Sequence, residues 1–427
     1  MTVLRAGCWV LGAVLGAGCC VLGAAVLGAQ QAPTFTASAQ IVEVDVRAFD
    51  RSGRFVEDLS IDDFEVIEGG KPQVIRALYF VGPAAADSPT APPLVTSRGP
   101  DAGASVPSPA ARQTWIFVFD INHLTPGAGF DRAKQAVSTF LKDQFREGDV
   151  GGIMAGGRMV NNRLTSVRAE LEAAANGIRP NTDNRSRLME LTREWPRIRD
   201  ESEALAIASE NRDALQRAVI RACSEDQSAC QMAEGLVREK TRRFRTEQQR
   251  STLDTLNAMN ALASGLSKIP GPKTVVFLSD GLVTQETEST LQTVVGQATR
   301  AGARIYAIDV RGLNRGTTAG IGDQMLADNP AGGPPRMDIT EDAPNSLSVD
   351  TGGFFIRNQN NIGQALASIA DDANRYYVIG YQPENLTLDG RFRPIEVRVK
   401  RAGVNVRARR GYLALPSAQL LIPKPVK

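Results

Sequence analysis

Hydrophobic and polar positions follow two different periods along this chain, and the change of period marks its organisation. Near the start, "QIVEVDVRAFD" places Ile41, Val42, Val44, Val46 and Phe49 around polar residues, the alternation of a half-buried strand, and "RSG" then supplies a turn. "DDFEVIEGGKPQVIRALYFV" reads as two further strands joined by a "GGKP" turn. From Thr114 to about Asp372 short apolar runs alternate with amphipathic segments. The runs are "TWIFVFD", "DVGGIMAGG", "KTVVFLSD", "ARIYAID" and "GGFFIRN"; the helical segments are Asp131–Phe145, Val167–Gly177, Ser289–Arg300 and Ile362–Ala373. Continuous apolar strands alternating with helices predict a parallel sheet covered on both faces. Beyond Asp372 the pattern returns to strands, "RYYVIGYQP", "FRPIEVRVK" and "VNVRARRGYLAL", with "LDGR" and "RAGV" as turns.

The predicted architecture is therefore a doubly wound, mostly parallel α/β sheet over residues 113–374, flanked by β-rich segments at 30–81 and 375–427. The two flanking segments could pair into a small β-sandwich, which would make the α/β domain an insertion within one β unit. Residues 82–112 are rich in Pro, Ala, Ser and Gly and read as a linker. Asn181–Ser267 interrupts the strand–helix order. Its first part, to about residue 245, is charged and reads as a helical insertion; its last part has the spacing of a sheet-covering helix.

A chain of 427 residues can hold two or three cores, and 42% hydrophobic with 22% charged residues is the composition of a soluble globular protein. A net charge of only +2 gives no reason to expect nucleic acid or an anionic membrane as partner. His123, the single histidine, excludes sites built from two or more, HExxH zinc proteases included.

Residues 1–29 read as a signal peptide: Arg5, a long run of small and aliphatic residues, and a small residue, Ala29, ahead of "QQAPTF". Export to the periplasm, the cell surface or the medium follows. The run is also long enough for a retained membrane anchor, and Cys19 offers a lipidation alternative. Cys223 and Cys230, in "CSEDQSAC", are the two cysteines outside that segment, so they are the candidate disulfide. On one continuous helix their Cα atoms would lie ~10.5 Å apart, beyond bridging reach. A bond therefore requires a helix–turn–helix clip; otherwise both are free thiols.

Three predicted strands end on an aspartate: Asp120, Asp280 and Asp309. Open α/β sheets bind ligands at carboxyl strand ends, in the crevice where strand order reverses. If the first and fourth strands flank that crevice, Asp120 and Asp280 face each other across it, and two carboxylates with amide or hydroxyl oxygens suit a hard cation. The plainer reading is that each aspartate caps its own loop.

"TWIFVFDINHL", "KTVVFLSDGL" and the strand–helix order between them resemble a von Willebrand factor type A domain. The ends, "IVEVDVRAFDRSGRFVEDLSIDDFEVIEGGKPQVI" and "YYVIGYQPENLTLDGRFRPIEVRVKRAGVNVRARRGYLA", resemble those of exported von Willebrand A-related bacterial proteins of the acidobacterial type. The resemblance implies a metal-ion-dependent adhesion site. There a D-x-S-x-S loop, a separate Thr and a separate Asp hold Mg2+ (or Ca2+ or Mn2+), and an acidic side chain of a protein partner completes the shell. Carried over, Asp120 matches the first Asp and Asp280 the late one, while Asn122 stands for the first Ser with its amide oxygen as ligand. Leu124, in place of the second Ser, cannot ligate. Thr182 in "PNTDN" is the candidate for the separate Thr, and Thr125 is a substitute oxygen outside the family pattern.

The expected function is a non-enzymatic, exported protein-binding or adhesion module with a degenerate metal site, its partner an unidentified protein. The alternatives are a structural cell-envelope component without metal, and a hydrolase in which His123 beside Asp120 activates Ser279 or another hydroxyl. "FLSDGL" is not a G-x-S-x-G elbow, and neither a P-loop nor G-x-G-x-x-G is present. The basic run Val237–Arg250 reads as a solvated helix face. "NRS" at Asn184 and "NLT" at Asn385 fit the short glycosylation pattern.

Overall fold

The alternation read at the amino end becomes β1 (Val42–Phe49), with Val42, Val44, Val46 and Ala48 turned into an apolar core. It is followed by β2 (Phe64–Glu68), β3 (Lys71–Gln73), β4 (Ile75–Val81) and β5 (Thr96–Ser97). The pattern predicted two strands around "GGKP", and three form. Gly69 and Gly70, at φ of 56° and 83°, turn the chain back so that β3 pairs with β2. The chain then breaks at exposed Val74 and carries β4 into a different sheet. In this computed structural model the described residues are 41–82, 96–97, 113–282, 287–312 and 342–414, all within one compact unit, Gln40–Lys427. The expected signal segment and most of the expected linker lie outside the described residues.

The middle of the chain is mixed α/β. In order come β6 (Thr114–Phe119), α1 (Ala128–Asp143), β7 (Val150–Ala155), β8 (Arg158–Met159) and α2 (Arg168–Gly177). Then α3 (Thr182–Arg193), α4 (Glu201–Ala208), α5 (Arg212–Glu225) and α6 (Cys230–Leu266) precede β9 (Lys273–Ser279). After it follow α7 (Glu288–Arg300), β10 (Ala303–Asp309), α8 (Asp342–Asp350), β11 (Phe355–Ile356) and α9 (Ile362–Asn374). The six strands are ordered β11-β10-β9-β6-β7-β8, parallel except for the short antiparallel edge β8.

Every residue of β6, β9 and β10 is buried, as a sheet covered on both faces requires. Trp115, Phe117 and Phe119 of β6 pack against α1, α2 and α9, and the intervening Ile116 and Val118 against α6, α7 and α8.

The expected insertion and the expected sheet-covering helix share one continuous element. Helix α6 has 37 residues, about 55 Å at 1.5 Å per residue. Its amino-terminal half buries Val237 and Phe244 with α4 and α5 in a separate small core, and its carboxyl-terminal half lays Leu256, Met259, Ala263 and Leu266 on the sheet. Cys223 and Cys230 form a disulfide with Cα atoms 4.5 Å apart. The clip is the turn between α5 and α6, where Asp226 accepts from the backbone N–H groups of Ser228 and Ala229. In the basic run, Arg238 and Arg242 pair with Glu210, and Arg243 with Glu190.

The carboxyl end supplies β12 (Tyr376–Tyr381), β13 (Phe392–Val399), β14 (Asn405–Ala408) and β15 (Gly411–Leu413). One sheet runs β14-β1-β12-β4-β5 and the other β15-β13-β2-β3, so strands from the two ends of the chain are neighbours. Their facing residues, among them Val44, Val66, Tyr377, Ile379 and Val397, form one core. "VNVRARRGYLAL" was expected as a single strand. It splits at Arg409, whose guanidinium folds onto the Thr299 and Glu43 carbonyls, and the two halves join different sheets. Leu413 lies over Gly296 of α7, where an added Cβ would come within 2.5 Å of Leu413 Cδ1.

Candidate functional site

Strand order in the parallel sheet reverses between β6 and β9: β7 and β8 lie to one side, β10 and β11 to the other. Ligands of open α/β sheets bind at the carboxyl ends of the strands that flank such a reversal. The register pairs Phe119 with Leu278, so Asp120 and the Ser279–Asp280 pair emerge side by side at that rim.

Asp120 is the hub. It is 4% exposed, and its carboxylate accepts three hydrogen bonds. Thr255 Oγ1 donates to Oδ1 at 2.8 Å, while Ser279 Oγ donates to Oδ2 at 2.8 Å. His123 Nδ1 lies 2.9 Å from the same Oδ2. With Nδ1–H donating to the carboxylate, His123 Nε2 is left to accept from Thr252 Oγ1, 3.4 Å away. Asn122 Nδ2 donates to Thr255 Oγ1 at 3.1 Å. The loop closes by a tight turn, with the N–H groups of His123 and Leu124 both donating to the Asp120 carbonyl. Leu124 is fully buried in the apolar core beside α1, so its side chain points away from the rim.

Asp280 holds the other side of the opening. Its Oδ2 accepts from the Thr125 backbone N–H at 2.7 Å, which ties the β9 rim to the β6 loop. Burial pushes its pKa up to about 6, against the opposing effect of the Thr125 hydrogen bonds. Asp309, the third strand-end aspartate, is closed on itself: both oxygens accept from the Arg311 guanidinium at 2.8–3.0 Å, and Oδ1 also accepts from the Arg311 N–H. It is a loop cap.

Two spaces adjoin the hub. Beside Asp120, Asn122 and Thr255 there is a void of about 10 Å³, roughly one water molecule. A groove of about 340 Å³ opens on the other side of Ile121, lined by Ala155, Val160, Ala174 and Ile178, with exposed Arg179 at its edge. Asn161, which borders it, and the following Asn162 adopt positive φ of 61° and 51°.

Of the residues singled out by sequence, Asp120, Asn122, His123, Ser279, Thr125 and Asp280 meet at this rim through the hydrogen bonds above. Thr182 opens α3, where its carbonyl accepts from Ser186 Oγ. The hydroxyl on Asp120 and Asn122 is instead that of Thr255, on α6. Sequence reading missed Thr252 and Thr255. Their signal was present: in "STLDTLNAMNALASGL" they occupy the first positions of a stripe that continues through Leu256, Met259 and Ala263 into the core. Both are buried. Polar residues on a core-facing stripe need partners, and the Asp120 loop supplies them.

Compared with protein-family models and with curated proteins, the sequence matches none. Among the described residues, His, Cys, Asp and Glu form no cluster of three placed to hold a metal ion. No helix among them is long and apolar enough to cross a membrane.

Proposed function

We propose that this chain is an exported, non-enzymatic binding module of von Willebrand A-like, doubly wound topology, carried on a small β-sandwich built from both chain ends. Its ligand would be a protein, taken at the carboxyl-terminal rim of the sheet, in the groove on the β7 side of β6. The observation that carries this reading is the closure of the Asp120 cluster at the point of strand reversal. Thr255, Ser279 and His123 already occupy the carboxylate oxygens that the resemblance would assign to Mg2+.

The residues do not fit a hard cation as arranged. Such an ion wants about six oxygens. Here Leu124 faces the core, the Asn122 amide N–H₂ is turned to Thr255, and the adjoining void has room for one water. The cluster works instead as a brace that fixes the rim loop on α6 and β9. The catalytic alternative is weakened by the same geometry. Thr252, the hydroxyl facing His123 Nε2, is fully buried, and Ser279 is 2% exposed, so neither is open to a substrate. What the rim does offer is the groove beside Ile121, apolar within and cationic at Arg179, suited to an aliphatic side chain next to a carboxylate.

Two measurements test this. Calorimetric titration of the mature chain with Mg2+, Ca2+ and Mn2+, beside Asp120→Ala, should give no saturable heat; saturable heat that disappears with Asp120→Ala would restore the metal-dependent version. Envelope proteins retained by the immobilised wild-type chain should be lost with Arg179→Glu, and equal retention by both would remove the rim from the binding reading. A structural envelope role would leave no rim-dependent retention at all. Hydrolysis of generic ester or peptide substrates that vanished with His123→Ala would overturn the non-enzymatic assignment.

A further inference from the structure

At the opposite end of the parallel strands from the rim, the outer face of the β14-β1-β12 sheet packs on the α/β layer, and the seam is built from arginines. Alternation along β1 turns Val44, Val46 and Ala48 into the two-sheet core and sends Arg47 the other way. Arg47 is fully buried there, and Arg304, at the amino end of β10, is 3% exposed. Both guanidiniums lie over the ring of Tyr376, at 4.8 Å and 4.6 Å from its centroid. Arg407 and Arg409, from β14 and the residue after it, complete the group.

Part of this charge is accounted for. Arg47 Nε contacts the Asp372 carboxylate at 3.0 Å and donates to the Asp372 carbonyl at 3.1 Å. Arg407 also pairs with Asp372, whose other oxygen accepts from Tyr306 Oη at 2.7 Å. Arg409 donates to the Thr299 and Glu43 carbonyls. Asp372 and Thr299 stand in the last turns of α9 and α7, where the helix dipole presents negative charge to a cation.

The rest is not. Nη1 and Nη2 of Arg47, all three nitrogens of Arg304, and Nε of both Arg407 and Arg409 are buried without a hydrogen bond of normal geometry. Besides Asp45, Arg304 has the Tyr376 hydroxyl as a polar side-chain neighbour at this point of the seam. The nearest carboxylate to Arg304 is Asp45, at 3.4 Å. Native structures leave only a few such groups per hundred residues, and here seven nitrogens on four side chains share one seam. Four guanidiniums meet three carboxylates, Glu43, Asp45 and Asp372, which leaves the cluster one positive charge in excess. Water would satisfy N–H groups but not the missing charge, and an uncompensated buried charge is costly.

We propose that this seam binds a small inorganic anion of about chloride size, held between the Arg47 and Arg304 guanidinium edges beside Tyr376 and balancing the arginine cluster. The anion would be a ligand of the folded state, pinning the two-sheet unit to the α/β layer, and it is independent of anything bound at the rim.

Thermal unfolding of the intact chain, with chloride exchanged for the much larger gluconate at constant ionic strength, reads the linkage directly. The midpoint should rise with the logarithm of chloride concentration for the wild type and be flat for Arg304→Met, which removes the guanidinium from Asp45 and from the Tyr376 ring but keeps an apolar stem in the seam. Crystals of the wild type soaked in bromide should show an anomalous peak within hydrogen-bonding reach of Arg304 and Arg47, a readout that needs no variant. Equal midpoints in chloride and gluconate with no bromide peak would overturn the proposal in favour of ordered water. A chloride dependence that survives unchanged in Arg304→Met would overturn it too, by placing the anion elsewhere.

Discussion

Replacing Asp280 by Asn should stabilise the protein at neutral pH and not in acid. Asp280 gives up much of its hydration at the rim, and burial lifts its pKa from 3.8 to about 6. The folded state therefore holds this proton more tightly than the unfolded state between those two values. The contribution of Asp280 to stability is highest below about pH 4, falls as pH rises through the window, and is flat above about pH 7. At about 1.4 kcal/mol per unit, a shift of roughly 2 units corresponds to about 3 kcal/mol of stability lost by pH 7. That is a ceiling, because the residue retains some contact with solvent. Asn carries no charge and keeps an oxygen for the Thr125 N–H, now 2.7 Å from Asp280 Oδ2. Urea denaturation of both proteins across this range, in EDTA, should show Asp280→Asn equal to wild type near pH 3.5 and about 1–3 kcal/mol more stable near pH 7.5. Parallel curves, or a variant less stable at neutral pH, would refute the account of a carboxylate whose desolvation outweighs its Thr125 hydrogen bonds and the nearby Arg311 charge. Repeating the series with Mg2+ separates the two readings of the rim: a cation on Asp280 would remove the wild type's loss of stability, whereas the closed cluster predicts no change. A carboxylate kept at such a cost fits a group retained for binding rather than for folding.

Three other substitutions examine the remaining claims. Thr255→Val keeps the shape of the side chain but leaves Asp120 Oδ1 and Asn122 Nδ2 short of a partner, and should cost about 2–3 kcal/mol in denaturant unfolding. Leu124→Ser restores the hydroxyl of a D-x-S-x-S pattern in sequence, yet Leu124 is buried in the core; it should lose about 3–5 kcal/mol and gain no calorimetric response to Mg2+. Cys223→Ser opens a short loop closed by a bond seven residues apart, worth about 2.5 kcal/mol by chain entropy. Its effect should be confined to the insertion, seen as faster proteolysis between α5 and α6 with the Asp120 cluster undisturbed.

Much of the fold was legible because each element carries its own period. The buried runs at β6, β9 and β10 and the helices α1, α2, α7 and α9 fall within a few residues of the stretches that the hydrophobic pattern marks. Terminal strands were less so, because a strand break depends on where the chain is pulled next. Val74 and Arg409 mark such breaks, and nothing in local alternation distinguishes them from mid-strand residues. At the rim, Asp120, Asn122 and Asp280 stood out because a polar residue ending an apolar strand is conspicuous. Thr255 did not. It lies 135 residues from Asp120 along the chain, on a helix whose register against the sheet no local pattern specifies.

The amino-acid sequence by itself determined the α/β class, the alternation of strands with helices, the strand-end aspartates and the candidate cysteine pair, because these follow from periods of two and 3.6 and from residue chemistry within a few positions. Tertiary structure alone decided that the Asp120 carboxylate is spoken for by Thr255, Ser279 and His123, that Leu124 turns into the core, that one helix serves both the insertion and the sheet, and that four arginines from distant strands meet at one seam. Each of these depends on which distant segments share a surface, and the hydrogen-bond partners of a buried charge are set by that packing rather than by its neighbours in the chain.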